Sequence, residues 1–434
     1  MHGNVIPSSE ISVSTEGAEE GKRAVDAILV DDPVLSCSTS GESGDNRLIF
    51  GDNLPALEAL ATEFSGRIRC IYGDPPYNAN AAVTHYEDSI DHDAWLSFMR
   101  SRLIMFHRLL RRDGSMFLHL DDNEIDYMKV VADEIFGRDN FISRITVEAR
   151  APSAFSTVNP GLFKASEYIL WYARDRAAFR ENTMRIPRAP DTAYNKWLVN
   201  PDDPCERWTF ISLLEAYRIH APRPPGQPLR SIKHFERFVI RNAARICRLA
   251  TISDSGAGRA ILVMKERSSR MPGVVLRHPR KEYDDVYVLD GKQLVFYAKN
   301  VVLIDGELTA SAPLTNIWTD IAWEGIAGEG GVSFKKGKKP ERLLRRCLDL
   351  ASEPGDWVLD AFAGSGTTGA VAHKMGRRWI MIEKGVHCRT HILPRLLRVI
   401  SGTDPTGVSA VTEWSGGGGF RFQTVEKKES DPTL

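Results

Sequence analysis

Trp357-Val358-Leu359-Asp360-Ala361-Phe362-Ala363-Gly364-Ser365-Gly366-Thr367-Thr368-Gly369 reads as a short apolar strand, a glycine-rich turn and the opening of a helix. Glycines at 364, 366 and 369 let the backbone come close to a ligand where a helix begins and its first N–H groups are unpaired. Glu383 ends the next predicted strand, about 20 residues past the first glycine, where an acid can hold ribose hydroxyls. The spacing is literally that of a dinucleotide site, so a nicotinamide or flavin enzyme stays in view. Asp360, ahead of the glycines, leans the other way, because a strand-end carboxylate suits a cationic amino-acid moiety better than a pyrophosphate. S-adenosylmethionine has an ammonium, a ribose and an adenine but no phosphate. On this reading Asp360, Gly364, Gly366, Thr367 and Glu383 hold the cofactor. Asp52, ending Ile49-Phe50-Gly51-Asp52, adds either an acceptor for the adenine amino group or a helix N-cap.

Working outward, the other informative stretch is Asp74-Pro75-Pro76-Tyr77, directly after the strand-like Arg67–Tyr72. Two consecutive prolines cannot continue a sheet, and they stiffen the loop. A stiff corner suits the orientation of an amino group on a flat ring. The Asp74 carboxylate and the Pro75 carbonyl can accept its two hydrogens, while the Tyr77 ring stacks on the base. The nitrogen lone pair then points towards an electrophile, and positioning with electrostatics can drive the transfer. The competing reading is a rigid turn whose tyrosine packs in the core. Cys70 lies inside the strand, so no cysteine nucleophile of the kind that C5-cytosine chemistry needs is visible.

Between residues 46 and 172 short apolar runs alternate with amphipathic stretches: strands at Arg47–Phe50, Ser115–Leu120, Phe141–Glu148 and Glu167–Tyr172, helices at Leu54–Phe64, Ala94–Leu110 and Asn123–Phe136. The pattern resumes at helix Pro340–Ala351 and continues through strand Trp357–Leu359, helix Thr368–Met375 and strand Arg378–Ile382. It predicts an α/β protein, a Rossmann-like parallel sheet with helices on both faces. The expected division is a disordered segment over 1–44, a catalytic half over 45–175, an insert over 176–318, a cofactor half over 319–402 and a frayed tail over 403–434.

Of the 434 residues, 42% are hydrophobic and 26% charged, and 56 basic side chains nearly balance 57 acidic ones, which argues against a generic nucleic-acid coat. Local basic surfaces remain open. In Ile232–Ile252, Arg237, Arg241, Arg245 and Arg248 fall on one helical face and Ile232, Phe235, Val239, Ala243 and Ile246 on the other, so the arginines are candidate DNA contacts. An ordinary solvated face fits the same spacing. Arg223, Arg230, Lys233, Lys265, Arg267, Arg270, Arg277, Arg280 and Lys281 enrich the neighbourhood. Tyr86–His92 is read as a loop closing over a bound base. Six scattered cysteines lack metal-ligand spacing, so neither zinc nor a structural disulfide is expected. No apolar run approaches membrane-spanning length, and a cytoplasmic protein without membrane contact is expected.

The chain resembles the beta-class, S-adenosylmethionine-dependent amino DNA methyltransferases, especially the modification subunits of type III restriction systems. The resemblance covers most of 46–400 and rests on Gly51-Asp52-Asn53-Leu54, Asp74-Pro75-Pro76-Tyr77-Asn78, His119-Leu120-Asp121-Asp122-Asn123-Glu124, Glu167–Tyr172, Lys339-Pro340-Glu341-Arg342-Leu343-Leu344 and Asp360–Gly369. The order, with the catalytic loop first and the cofactor loop last, is the permuted one of that class. The resemblance implies a methyltransferase that modifies adenine N6 of a flipped base in double-stranded DNA, the insert reading the sequence. It also implies that Lys339 and Pro340 close over the cofactor's methionine end and that Phe362 packs beside its methyl, whereas a solvated charge is the plain reading of Lys339. Aspartate at 74 resembles adenine-specific members; N4-cytosine methylation, methylation of RNA or protein, and a non-catalytic DNA-binding derivative are the alternatives. A restriction subunit or a second copy of the chain are the partners it allows.

Overall fold

The computed structural model describes residues 27–39, 44–78, 91–150, 162–221, 232–334 and 337–428. Two compact units emerge, one from the flanks (up to Asn182 and from Thr315) and one over Thr183–Leu314. Most of Tyr86–His92, together with Arg223, Arg230 and the lead-in before Ala27, lies outside the described residues.

In the first unit, strands β1 (Ala27–Ser38), β2 (Arg47–Phe50), β3 (Ile68–Gly73), β4 (Leu110–Leu120), β5 (Phe141–Glu148), β6 (Ser166–Ala173), β7 (Ile317–Trp318), β8 (Trp357–Asp360), β9 (Arg378–Glu383) and β10 (Gly419–Lys427) form one sheet. Its order is β1-β10-β2-β9-β8-β3-β4-β6-β5-β7. From β10 to β4 the pairings are parallel, as the helix-strand alternation predicts. The sheet is nevertheless mixed, since β6 runs antiparallel to both β4 and β5. The sequence between β5 and β6 carries no crossover-helix pattern, and antiparallel neighbours need none.

Helices α1 (Asn53–Phe64), α2 (His92–Leu109) and α3 (Ile125–Phe136) pack side by side, and so do α4 (Glu341–Ala351), α5 (Thr367–Lys374) and α6 (Leu393–Ile400). Right-handed crossovers put the two groups on opposite faces. Leu57, Leu60, Phe64, Trp95, Met99, Leu103 and Phe106 project from α1 and α2 at helical spacing into a core with Ile71, Leu118 and Ile380. Among the described residues no helix is long and apolar enough to cross a membrane.

Both ends correct the expectation. Residues 27–38, assigned to a disordered lead-in, form β1, and the tail supplies β10, which pairs with β1 and with β2. Phe420 and Phe422 are wholly buried, a two-residue period that the preceding Gly416–Gly419 run obscured.

The second unit is richer in strands than its weak periodicity suggested. Six antiparallel strands lie in the order Leu276–His278, Val286–Leu289, Lys292–Phe296, Ile246–Ala250, Lys196–Leu198 and Phe210–Ser212, and three more pair separately. The helix expected over Ile232–Ile252 ends at Arg241, and Ile246–Ala250 is a strand, because Ile246 and Cys247 are buried in register with Trp197 and Phe296.

Candidate active site

β3 and β8 are neighbours, with Cys70 opposite Val358 and Ile71 opposite Leu359. From this seam the chain leaves β3 for β4 on one side and β8 for β9 on the other. Strand order therefore switches direction here, and a crevice opens past the carboxyl ends of the two strands, where open α/β sheets bind ligands. Both sequence-predicted loops start there. One cavity, partly open to solvent, is lined by Tyr72, Asp74, Gly337, Lys339, Leu344, Asp360, Phe362, Ala363, Gly364, Ser365, Thr367 and Thr368.

The three glycines serve distinct purposes. Gly364 (φ 53°) borders the cavity, and a Cβ there would meet only the Phe362 carbonyl, 3.8 Å away. Gly366 (φ 77°) has no room, since a Cβ would lie 2.8 Å from Ile392 Cγ2. At Gly369 a Cβ would stand 2.3 Å from Met381 Cε, so its absence lets α5 lie close on β9.

Asp360 accepts the Phe362 N–H at 2.8 Å and the Thr368 hydroxyl at 2.5 Å. Burial, above all, pushes its carboxyl up to about 7, with the Asp74 and Glu383 charges acting in the same direction. Glu383 accepts the Gly364 and Gly385 N–H groups, each at 2.8 Å, and lies 3.1 Å from His387 Nε2. These bonds hold it below the usual carboxylate range despite burial. Behind the loop, Arg395 donates to the Ser365 carbonyl and Thr367 Oγ1 and pairs with Glu341 at 2.8 Å. Lys374 joins Glu341 to Asp404 in the same buried cluster.

The proline corner is equally braced. Pro75 is buried, and the Pro76 carbonyl accepts the Trp95 indole N–H at 2.9 Å. Tyr77 packs its ring against the core, as the plain reading has it, yet its hydroxyl lies in a polar network, 2.9 Å from Asp74 Oδ1. Lys339 is not a solvated charge. Only 6% exposed, its ammonium lies 2.7 Å from the Tyr77 hydroxyl, 3.0 Å from Asp74 Oδ1 and 3.4 Å from Glu167 Oε2. Burial alone would lower its pKa, but the two carboxylates hold it above the ordinary value. Burial and those same carboxylates push the Tyr77 phenol well up, so it stays protonated and acts as a hydrogen-bonding ring.

Asp74, Lys339, Asp360, Phe362, Gly364 and Thr367 thus border one cavity, whereas Pro75, Pro76, Tyr77, Asp52, Pro340, Gly366 and Glu383 stand behind or beside it. Asp52 is the N-cap of α1, accepting the Leu54 N–H at 2.9 Å, with Arg102 at 3.3 Å; its side chain is half exposed. Pro340 caps α4 through its extended backbone. The four arginines do not share a helical face. Arg237 and Arg241 are exposed on helix Ile232–Arg241, while Arg245 lies over the Trp197 ring and Arg248, on a strand, over Tyr194. A turn at residues 242–245 breaks the stripe.

Sequence reasoning gave no role to Glu167, His119 or Arg395, all at least nine-tenths buried near these loops. Each is a titratable residue inside an apolar run, and that was the available signal. Among the described residues no group of three His, Cys, Asp or Glu side chains is placed to hold a metal, and all six cysteines are unbridged.

A family model described as DNA methylase, N6_N4_Mtase, matches residues 68–392, which carry the catalytic corner, Lys339 and the glycine loop. The chain belongs to this DNA methylase family. It is 30% identical to the probable type III restriction-modification enzyme HindVI Mod subunit of Haemophilus influenzae, over 93% of this chain and 56% of that one. With the type III restriction-modification enzyme EcoPI Mod subunit of Escherichia phage P1 it shares 24% identity, over 87% of this chain and 61% of that one. The chain therefore spans a little more than half the length of these two relatives. Among solved structures, the cytosine-N4-specific PvuII DNA methyltransferase aligns with a TM-score of 0.39 at 14% identity, over 86% of this chain and 94% of that one.

Proposed function

We propose that this DNA methylase transfers a methyl group from S-adenosylmethionine to N6 of an adenine flipped out of duplex DNA. The observation that carries this reading is the shared cavity: the acceptor Asp74 and the glycine loop after Asp360 face the same space.

The residues present fit the cofactor. Asp360 offers a buried carboxylate to an amino-acid ammonium, and the open Cβ position of Gly364 leaves room beside the loop. Glu383, held at the end of β9 by the Gly364 and Gly385 N–H groups, is the proposed seat of a ribose hydroxyl. Thr367 and Gly366 shape the start of α5, and Phe362 borders the cavity with an apolar face. Asp52, capping α1 with one oxygen, keeps the other for the adenine amino group. Bound there, S-adenosylmethionine supplies a methyl already activated on a sulfonium.

The protein's share is orientation. Asp74 and the Pro75 carbonyl accept the two N6 hydrogens, which points the lone pair away from the ring system. Tyr77, held by Trp95 through Pro76 and by its own hydroxyl contacts, offers a face for the base. As N6 becomes positive, the Asp74 carboxylate stabilises it and is placed to take the proton that N6 sheds. Extrusion of the base costs a few kcal/mol, which pocket contacts must offset. Arg237 and Arg241 are the proposed phosphate contacts of the second unit, double-stranded DNA is the proposed macromolecular substrate, and a restriction subunit is a proposed partner.

Incubating unmodified DNA with the protein and S-adenosylmethionine, then digesting to nucleosides, tests this directly. N6-methyladenine is the expected product; N4-methylcytosine alone would reassign the base, and no methylated nucleoside would reject the reading.

A further inference from the structure

The Lys339 ammonium sits where the target amino group should be. Its contacts, Asp74 Oδ1 at 3.0 Å and the Tyr77 hydroxyl at 2.7 Å, belong to the corner that orients the base. The same ammonium stands at the hydroxyl edge of the Tyr77 ring, 4.8 Å from its centroid, and 5.9 Å from that of Trp323. A flat base stacked on Tyr77 and bonded to Asp74 competes for this space and for this acceptor.

Leaving Lys339 there during methyl transfer would also blunt the chemistry. Asp74 stabilises the charge that develops on N6 only if its own charge is not already cancelled. The structure supplies a second seat. Glu167 Oε2 lies 3.4 Å from the ammonium, and the residue is only 8% exposed. His119 Nε2 stands 3.0 Å behind its carboxylate, and His119 Nδ1 lies 2.7 Å from the Tyr72 hydroxyl. Despite burial, Lys339 and His119 hold the Glu167 carboxyl well below the usual range, so it is ionised and ready to take the cation.

We infer that Lys339 is a place-holder for the target base and that Glu167 is the positioning residue that receives its ammonium when the base arrives. This rests on the methyltransferase reading above. The exchange keeps a buried cation paired throughout, where water could not replace its partner cheaply. In the empty site the cation braces the corner against repulsion between Asp74 and Glu167. In the loaded site it neutralises Glu167 and leaves Asp74 as the one net negative charge beside N6.

Charge counting gives a test that a merely structural role would not satisfy. Glu167→Gln leaves Lys339 with Asp74 alone and should slow single-turnover methylation of unmodified plasmid DNA roughly tenfold or more. Adding Lys339→Met to that variant restores one net negative charge and should recover several-fold of the loss, with S-adenosylmethionine held at saturation for every variant. Glu167→Asp keeps the seat, so there Lys339→Met should slow transfer further; this pair decides the matter if Glu167→Gln does not fold. A double variant no faster than Glu167→Gln, an unaffected Glu167→Gln, or acceleration of Glu167→Asp by Lys339→Met overturns the inference. Those results leave the methyltransferase reading standing so long as the wild type modifies DNA; a wild type that transfers no methyl to DNA rejects both.

Discussion

Cys70 and Val358 sit opposite each other in adjacent parallel strands, although the whole second unit lies between them in the chain. The pairing sets the proline corner beside the glycine loop, four residues after Cys70 and two after Val358 respectively begin the two acids Asp74 and Asp360. Everything proposed for the site follows from this seam, since neither loop alone has both an acceptor for a base and a cradle for a nucleoside.

Cofactor affinity should depend on pH through Asp360. Its carboxyl, raised by burial to about 7 in the empty site, must be ionised to pair with a cationic ammonium. S-adenosylmethionine binding should therefore weaken as pH falls below about 7, by up to about tenfold per unit, and release a proton on binding. The same group makes the empty fold more stable when protonated, a contribution present below about pH 4 and lost as pH rises through about 7. Calorimetry in buffers of different ionisation enthalpy measures both affinity and proton release; a dissociation constant flat across this range would show that Asp360 does not meet the ammonium.

The first two glycines of the loop should separate binding from stability. Gly364→Ala fills space at the cavity wall without a backbone clash, so cofactor affinity should drop while the positive φ costs about 1–2 kcal/mol of stability. Gly366→Ala adds collision with Ile392 to the same backbone strain and should lower stability more. Thermal unfolding alongside calorimetry would distinguish them, and equal effects on both properties at both sites would contradict the assignment.

Lys374 is paired with Glu341 at 2.9 Å and with Asp404 at 2.6 Å, all essentially without solvent. Lys374→Met leaves buried Asp404 without its cation and Glu341 with Arg395 alone, and should cost about 3–5 kcal/mol. Urea unfolding measures it. A loss under about 1 kcal/mol would mean that water reaches the cluster.

Arg237 and Arg241 are exposed, whereas Arg245 and Arg248 lie over aromatic rings. Replacing either exposed arginine with alanine should weaken DNA binding and lower the slope of log affinity against log salt by about one. Unchanged salt slopes in both variants would remove this helix from the DNA contact surface.

The strands leading into both loops were legible because each is a short apolar run that ends at a glycine or an acid. The seam was legible only through the order of the motifs, as no local pattern says that β3 pairs with β8. Elsewhere the signal was local and misleading: Arg245 and Arg248 match a helical stripe in spacing, but buried Ile246 and Cys247 make the segment a strand. Phe420 and Phe422 carried a two-residue period too short to outweigh four preceding glycines. Lys339 shows the limit for the site. Its neighbours Lys338 and Gly337 suggest a solvated loop, and only tertiary packing reveals an ammonium between Asp74, Tyr77 and Glu167.

The central claim is that one cavity joins a base-orienting corner to a cofactor cradle, and Asp74→Ala tests it most directly when methyl transfer to DNA and S-adenosylmethionine binding are measured on the same preparation. The account predicts that transfer is abolished while the cofactor still binds. A variant that methylates DNA at the wild-type rate would contradict it.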